Sequence, residues 1–190
     1  MDVTLDDSFS RNFECEVLSE LPAAIGDHYY FSSGSSAGGK DGLIVKFMPN
    51  SGDSWIGTFA WGTPTTKGVS TGIFTFPSPE RVCVVSCGNA VIVEVGNPEN
   101  FEEISAFPIM AVVPVPAREI LIFSSQTKLY AYGTSGLVWE SNRLAWDEIK
   151  ITSVDGDVLK GTVWDIQSEE DVPFQVNLET GHHSGGIAVI

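Results

Sequence analysis

Two clusters of carboxylates are the residues whose type and spacing most plainly suggest an interaction. The clusters consist of Glu99, Glu102 and Glu103, and of Asp165, Glu169, Glu170 and Asp171. Both fall between apolar runs, so we expect them in connections and not within strands. Carboxylates grouped on the loops of a rigid scaffold attract and orient a positively charged partner. The sequence therefore predicts that these residues bind a basic partner, and the alternative is that they only increase solubility.

The overall charge of the chain also favours a basic partner. The chain carries 10 Lys and Arg against 25 Asp and Glu, a formal charge of -15. Nucleic acids and anionic membrane surfaces require clustered basic residues to replace their counterions. We therefore expect neither nucleic-acid binding nor membrane binding. The oligomeric state is left open by these arguments.

Catalytic signatures are missing from the sequence. It contains no nucleophile elbow, phosphate-binding loop or dinucleotide fingerprint. The segment 34–40 has glycines and ends in Lys40, but it lacks the Walker spacing and leads into a strand. We interpret 32–39 as a flexible loop, and we predict no catalytic residue and no cofactor.

The candidate metal ligands are also poorly arranged. His182 and His183 are adjacent, so on a strand their side chains would point to opposite faces. Asp155 and Asp157 flank Gly156, which is typical of a tight turn and supplies too few ligands for calcium. We predict no metal site.

The cysteine pattern and the amino terminus favour a cytoplasmic protein. Cys15, Cys83 and Cys87 form an odd set without the spacing of a disulfide framework, and we expect them to be buried thiols. The first residues are acidic and lack the basic start and apolar run of a secretory signal. Apolar stretches such as 109–115 are too short to span a bilayer.

The elements that would position these residues are almost all strands. Short runs rich in Val, Ile, Phe, Tyr and Trp alternate with Gly, Pro, Ser and Asn. The triplet Cys87-Gly88-Asn89 separates two such runs and predicts a hairpin turn. One short helical turn is predicted at 101–104, because Pro98 and acidic residues precede or begin it.

A repeat of 38 residues organises the strands. It aligns 82–86 with 120–124 and 91–93 with 129–131, and a further step reaches Val158. A period near 40 residues is the length of one four-stranded propeller blade. The runs 82–85 and 120–123 are apolar without alternation, so both faces of these strands should be buried. We predict an all-β protein of antiparallel, propeller-like repeats in a single domain over 1–190, with a twisted β-sandwich as the alternative.

Two stretches also carry resemblances to known proteins. The segment 128–139, an apolar strand, a glycine turn and a strand ending in Trp139, resembles blades of quinoprotein-type propellers. The stretch 144–186, with Trp146-Asp147, Trp164-Asp165 and 172–181, is similar to the ends of small, mostly uncharacterised bacterial proteins. These resemblances imply a propeller-like fold and bring no cofactor or activity with them.

The functional expectation is a non-enzymatic protein-binding module. Its acidic residues would bind a basic partner, as an immunity-type protein masks a toxin nuclease or as an accessory protein does. A glycan- or small-molecule-binding domain, or a weak hydrolase, is a second possibility, because exposed Trp side chains stack on sugars. It predicts a concave pocket lined with Trp and two converging carboxylates. We nevertheless expect the tryptophans within strands to belong to the core. A third possibility is a structural scaffold subunit that pairs through an edge strand.

Overall fold

The structure, a computed structural model, describes residues 2–24, 26–32 and 41–187. The chain divides into two compact units, Met1–Pro108 and Ile109–Ile190. Both are built from strands, so the prediction of an all-β protein with antiparallel sheets is confirmed. The loop predicted at 32–39 lies outside the described residues from Ser33 onward. None of the helices in the described part of the chain is long and apolar enough to cross a membrane.

The described strands of the first unit form two sheets. Sheet I has the order β2-β4-β5-β3, and sheet II has the order β1-β6-β7-β8-β9. The strands are β1 Thr4–Asp6, β2 Phe13–Leu18, β3 Asp27–Phe31, β4 Gly42–Pro49, β5 Trp55–Ala60, β6 Gly72–Thr75, β7 Arg81–Ser86, β8 Asn89–Glu94 and β9 Asn97–Glu103. Two pairings are parallel, β1 with β6 and β3 with β5, and the other pairings in these sheets are antiparallel.

The second unit contains two antiparallel meanders in the described residues. Sheet III has the order β10-β11-β12-β13, and sheet IV has the order β14-β15-β16-β17. The elements are β10 Ala111–Val115, a short 3-10 turn at Pro116–Arg118, β11 Ile120–Ser124, β12 Leu129–Gly133, β13 Gly136–Glu140, β14 Ile149–Asp155, β15 Val158–Asp165, β16 Glu170–Asn177 and β17 His183–Gly185. Consecutive strands are neighbours throughout, as short hairpin connections require.

The 38-residue repeat corresponds to equivalent strands. The segment 82–86 lies in β7, 120–124 in β11, and Val158 begins β15. These are the second strands of three successive four-stranded meanders, β6–β9, β10–β13 and β14–β17. As predicted, β7 and β11 are buried on both faces, since each of Val82–Val85 and Ile120–Phe123 is at most 5% exposed.

The hairpin at Cys87 forms as its residues predict. Ser86 pairs with Asn89, so the loop consists of Cys87 and Gly88 alone. Both loop residues have positive φ, 47° and 82°. This is the backbone twist that suits a two-residue antiparallel connection, and Gly88 adopts it without a steric cost.

The predicted helical turn at 101–104 is wrong. Residues Asn97–Glu103 form β9, which pairs with β8 along the edge of sheet II. The register shifts between Val93 and Glu94, so that 98–100 stand outside the regular pairing and Pro98 does not need an N–H group. Pairing with β8 therefore outweighs the local preference for a helix.

One tryptophan joins the two sheets within each unit. In the first, the indole N–H of Trp55 in sheet I donates to the Val95 carbonyl, beside sheet II, at 2.8 Å. In the second, the indole N–H of Trp139 in sheet III donates to the Leu178 carbonyl, beside sheet IV, at 2.7 Å. Both acceptors lie between the third and fourth strands of a meander. Each indole is buried in the core of its unit, so both hydrogen bonds form away from water.

We expect Trp55→Phe and Trp139→Phe each to lower the free energy of unfolding by about 1–2 kcal/mol. The substitution keeps an aromatic ring but leaves a buried carbonyl without its donor. Urea denaturation of each variant measures the loss.

The matched control is Trp164→Phe, because Trp164 is 43% exposed. This substitution should change the free energy of unfolding by no more than about 0.5 kcal/mol. An equal loss for all three variants would show that ring size, and not the inter-sheet hydrogen bond, sets the cost.

Candidate functional site

The first acidic cluster lies in a strand and not in a connection, contrary to the prediction. Glu99, Glu102 and Glu103 all belong to β9. Glu102 forms an ion pair with Arg81 at 3.5 Å, and the Arg81 guanidinium also lies over the Phe76 ring. Glu99 and Glu103 are exposed. Glu102 is thus partly committed to the protein's own structure, whereas the other two carboxylates face solvent.

The second acidic cluster surrounds the β15–β16 hairpin. Asp165 ends β15, Glu170 and Asp171 begin β16, and Glu169 lies in the turn with φ 56°. The predicted position in a connection is therefore right for Glu169 and wrong for the three residues that the strands include. Asp171 forms an ion pair with Lys150 at 3.6 Å.

Asp165 stabilises the turn of this hairpin. Its carboxylate accepts hydrogen bonds from the Ser168 hydroxyl at 2.8 Å and from the backbone N–H groups of Ser168 and Gln167. The hydroxyl bond, followed by these backbone bonds, lowers the pKa of Asp165. Glu169 and Glu170 remain exposed at the end of the hairpin. Of the cluster, these two residues are the best placed to meet another molecule.

A concave site, whose residues the sequence did not single out, lies in the first unit. Two adjoining cavities, of about 140 and 200 Å³, share Pro49, Ser51, Val95 and Gly96 in their walls. We call the pair the acidic cleft. Its four carboxylates are Asp27, Asp53, Glu80 and Glu94. No basic residue lines it in the described part of the chain.

Aromatic residues form part of the cleft. Trp55 lines it but is only 4% exposed, because it stacks on Phe47 with ring centroids 4.5 Å apart and donates to Val95. The half-buried Tyr29 meets the Trp55 ring edge to face at 5.5 Å. Tyr29 is therefore the aromatic side chain that a ligand in the cleft would contact more readily.

Two of the carboxylates in the cleft are held by neighbouring groups. The Ser78 hydroxyl donates to Glu80 at 2.5 Å, and this bond is the main reason that the pKa of Glu80 is lowered. The Asn100 amide donates to Glu94 at 2.6 Å. Both hydrogen-bond donors are neutral groups, and the Arg81 guanidinium makes a smaller electrostatic contribution to the lowered pKa of Glu80.

A sequence signal for the cleft does exist. Asp27-His28-Tyr29 and Asp53-Ser54-Trp55 both place an aspartate two positions before an aromatic residue. The parallel pairing of β3 with β5 then sets Asp27 opposite Trp55. That pairing joins strands that are not consecutive in the chain, which local pattern reading does not reveal.

The equivalent tryptophan of the second unit is covered by the chain itself. Gly181 has φ 71°, and a Cβ placed on it would lie 2.8 Å from the Trp139 ring. In the first unit, by contrast, a Cβ on Gly96 would have no atom within 4 Å. Both rings are buried, Trp55 at 4% and Trp139 at 7% exposure, and the two glycines differ in the space beside them.

We expect Gly181→Ala to lower the free energy of unfolding by about 1–2 kcal/mol or more. The new methyl group would meet the Trp139 ring, and alanine disfavours positive φ. Gly96→Ala should change stability by no more than about 0.5 kcal/mol. Thermal and urea unfolding of the two variants compare the sites, and an equal cost at both positions would contradict the contrast between them.

Cys15 and Cys83 are poorly suited to nucleophilic chemistry. Cys83 is completely buried in β7, and burial raises the pKa of its thiol well above the usual range. Burial also raises the pKa of Cys15, against the opposing effect of the nearby Arg11 guanidinium. The Sγ atom of Cys87 accepts a hydrogen bond from the Thr71 hydroxyl. A thiolate nucleophile needs the opposite environment, one that lowers the thiol pKa.

We expect Cys83 to resist iodoacetamide at pH 8 in the folded protein. Its alkylation should be on the order of a hundredfold slower than that of the unfolded chain, since the thiol is buried and protonated. Peptide mapping by mass spectrometry, with and without urea, measures the modification of each cysteine separately. Equal rates in the two conditions would show that Cys83 is accessible in the native state.

The histidines His28 and His183 lie in different surroundings. The Nε2 atom of His28 lies 2.9 Å from the Thr58 hydroxyl across β3 and β5. Burial, and then the neighbouring His182, lowers the pKa of His183. Within the described ranges, no group of three His, Cys, Asp or Glu side chains is arranged to hold a metal ion.

Comparisons with known proteins add no family to this description. Neither the protein-family models nor the curated proteins give a match to the chain. Inferences about function therefore depend on the charge, burial and geometry of its own residues.

Proposed function

We propose that this protein is a non-enzymatic protein-binding module that binds a basic partner. The observation that carries the proposal is the large number of carboxylates that form no ion pair with a described residue. The ion pairs that join described residues use only eight of the 25 carboxylates. The surplus includes the exposed Glu99, Glu103, Glu169 and Glu170.

The electrostatics favour this class of partner. Unpaired carboxylates on a rigid β-scaffold create a negative potential that accelerates encounter with a cationic surface. A concrete form is an immunity-type protein that masks the active site of a toxin nuclease. Such a site contacts phosphates through Lys and Arg, and carboxylates can occupy the positions of those phosphates. An accessory protein with a basic client would use the same surface.

We also propose a propeller-like relationship among the sheets. The 38-residue repeat supports it, because the repeat falls on the second strand of three successive meanders. The tryptophan that joins neighbouring sheets in each unit is a second support. The strand order gives an all-β class with antiparallel sheets, and a twisted sandwich is the alternative arrangement.

Glycan binding is the second candidate, and exposed tryptophans favour it. Trp55 and Trp139 belong to the core, as expected. The other three tryptophans are partly exposed: Trp61 by 43%, Trp146 by 38% and Trp164 by 43%. Trp164 lies in β15, opposite Asp171 on β16, so a solvent-exposed indole ring lies beside a carboxylate. This arrangement can stack on a sugar and accept a hydrogen bond from it. The ring of Trp146 is less available, because the Arg143 guanidinium lies over it at 4.8 Å.

A scaffold role would use the edges of the sheets. β9 and β13 each lie at the edge of a sheet, and β13 carries the exposed Leu137 and Val138. An extended segment of another chain can add to such an edge through backbone hydrogen bonds.

Neutralising the exposed carboxylates of the clusters tests the principal proposal. We expect Glu99→Gln with Glu103→Gln, or Glu169→Gln with Glu170→Gln, to weaken binding of a fluorescein-labelled nona-arginine peptide by at least about threefold. Each double variant removes two charges from a surface that would contact the peptide. Fluorescence anisotropy at 50 and 200 mM NaCl measures both affinity and its dependence on salt.

The matched control is Glu16→Gln with Glu20→Gln, which removes two exposed carboxylates elsewhere in the first unit. The affinity of this control variant for nona-arginine should fall by less than the affinity of either cluster variant. If all three double variants weaken binding equally, the clusters have no specific role in binding. If affinity does not depend on salt, the proposal of a basic partner fails.

A further inference from the structure

We propose that the acidic cleft of the first unit receives an arginine side chain of the basic partner. This inference rests on the proposed function and specifies how the partner would be recognised. The cleft differs from the predicted clusters, because none of its four carboxylates belongs to them. It is also concave, whereas the exposed carboxylates of the clusters lie on a strand edge and a hairpin.

Charge complementarity identifies a cation as the occupant. Asp27, Asp53, Glu80 and Glu94 line the cleft, and none of them forms an ion pair with a described residue. The neighbours that hydrogen-bond Glu80 and Glu94 are the neutral Ser78 and Asn100. A cation that enters would therefore add to the positive charge that Arg81 places near Glu80, and it would meet Asp27 and Asp53 on the Tyr29 side of the cleft.

The aromatic wall favours arginine over a compact cation. A guanidinium is planar, packs against aromatic rings and donates several hydrogen bonds to carboxylates at once. Tyr29 is half-buried and lines the larger cavity together with Asp27 and Asp53. Ring and carboxylates thus occur together in one recess, as recognition of a guanidinium requires.

The size of the recess is suitable for a side chain. The larger cavity measures about 200 Å³, many times the roughly 10–15 Å³ of accessible volume that one water molecule needs. The smaller cavity adds about 140 Å³ along the Glu80 and Glu94 side. A long side chain can therefore enter without rearrangement of the sheets.

Comparison with the second unit shows that the opening is not required by the tryptophan bridge. Both units contain the indole–carbonyl hydrogen bond. In the second unit, the backbone at Gly181 packs tightly against the Trp139 ring, whereas Gly96 in the first unit borders open space. Both rings are buried, and the first unit differs in having open space at Gly96, which lines the cleft.

Nuclear magnetic resonance of the full chain tests the inference. The probe is N-acetyl-arginine amide, and the comparison compound is N-acetyl-citrulline amide, which has a similar shape without the charge. We expect the arginine probe to shift the Trp55 indole N–H resonance in a saturable way. The Trp139 indole resonance should not move, because Trp139 does not line the cleft, and it provides an internal control.

Two kinds of variant make the test specific to the cleft. Gly96→Phe fills the recess without changing its charge, and it should abolish the Trp55 shift, whereas Gly96→Ala should preserve it. Asp27→Asn with Asp53→Asn should weaken the affinity for the arginine probe by at least about threefold, since two of the carboxylates lose their charge. The indole spectrum of each variant verifies that it is folded.

Two results would overturn the inference. One is a Trp55 resonance that does not respond to the arginine probe, and the other is an equal response to citrulline. If nona-arginine still binds through the acidic clusters in that event, the proposed function stands and only the cleft assignment fails. If the Trp55 resonance responds while the cluster variants bind nona-arginine as the control does, the clusters are excluded and the cleft is the basic-binding site.

Discussion

The buried indole–carbonyl hydrogen bond between neighbouring sheets is the constraint on which each unit depends. A four-stranded sheet of short strands buries too little surface to be stable alone, so the sheets must pack in pairs. A buried indole N–H must also find an acceptor. Trp55 and Trp139 meet both requirements, because their rings lie in the core and their N–H groups reach the Val95 and Leu178 carbonyls.

The same bond determines where the first unit can carry a recess. By fixing Val95 against Trp55, it holds the connection between β8 and β9 close to the connection between β4 and β5. Asp53 and Glu94 come from those two regions of the chain. The carboxylates of the cleft are therefore positioned by a core contact, which gives the site the rigidity that recognition needs.

Sequence patterns predicted the fold best where local chemistry decides it. Cys87-Gly88 forms the expected hairpin because glycine tolerates positive φ, and the unbroken apolar run 82–85 forms a strand buried on both faces. The prediction failed at Phe101, where pairing of β9 with β8 outweighs a local helix signal. The acidic cleft was missed because it brings together distant segments, including Asp27 and Glu94. Such proximity depends on tertiary packing, which spacing along the chain does not encode.

The acidic composition of β9 has a consequence for the protein's behaviour toward copies of itself. β9 is an edge strand, and edge strands are templates on which further strands can assemble into aggregates. Glu99 and Glu103 would place like charges side by side if two such edges met. The β9 edge can therefore stay exposed at high protein concentration, because its carboxylates repel the β9 edge of a second molecule. These charges disfavour self-assembly through this strand.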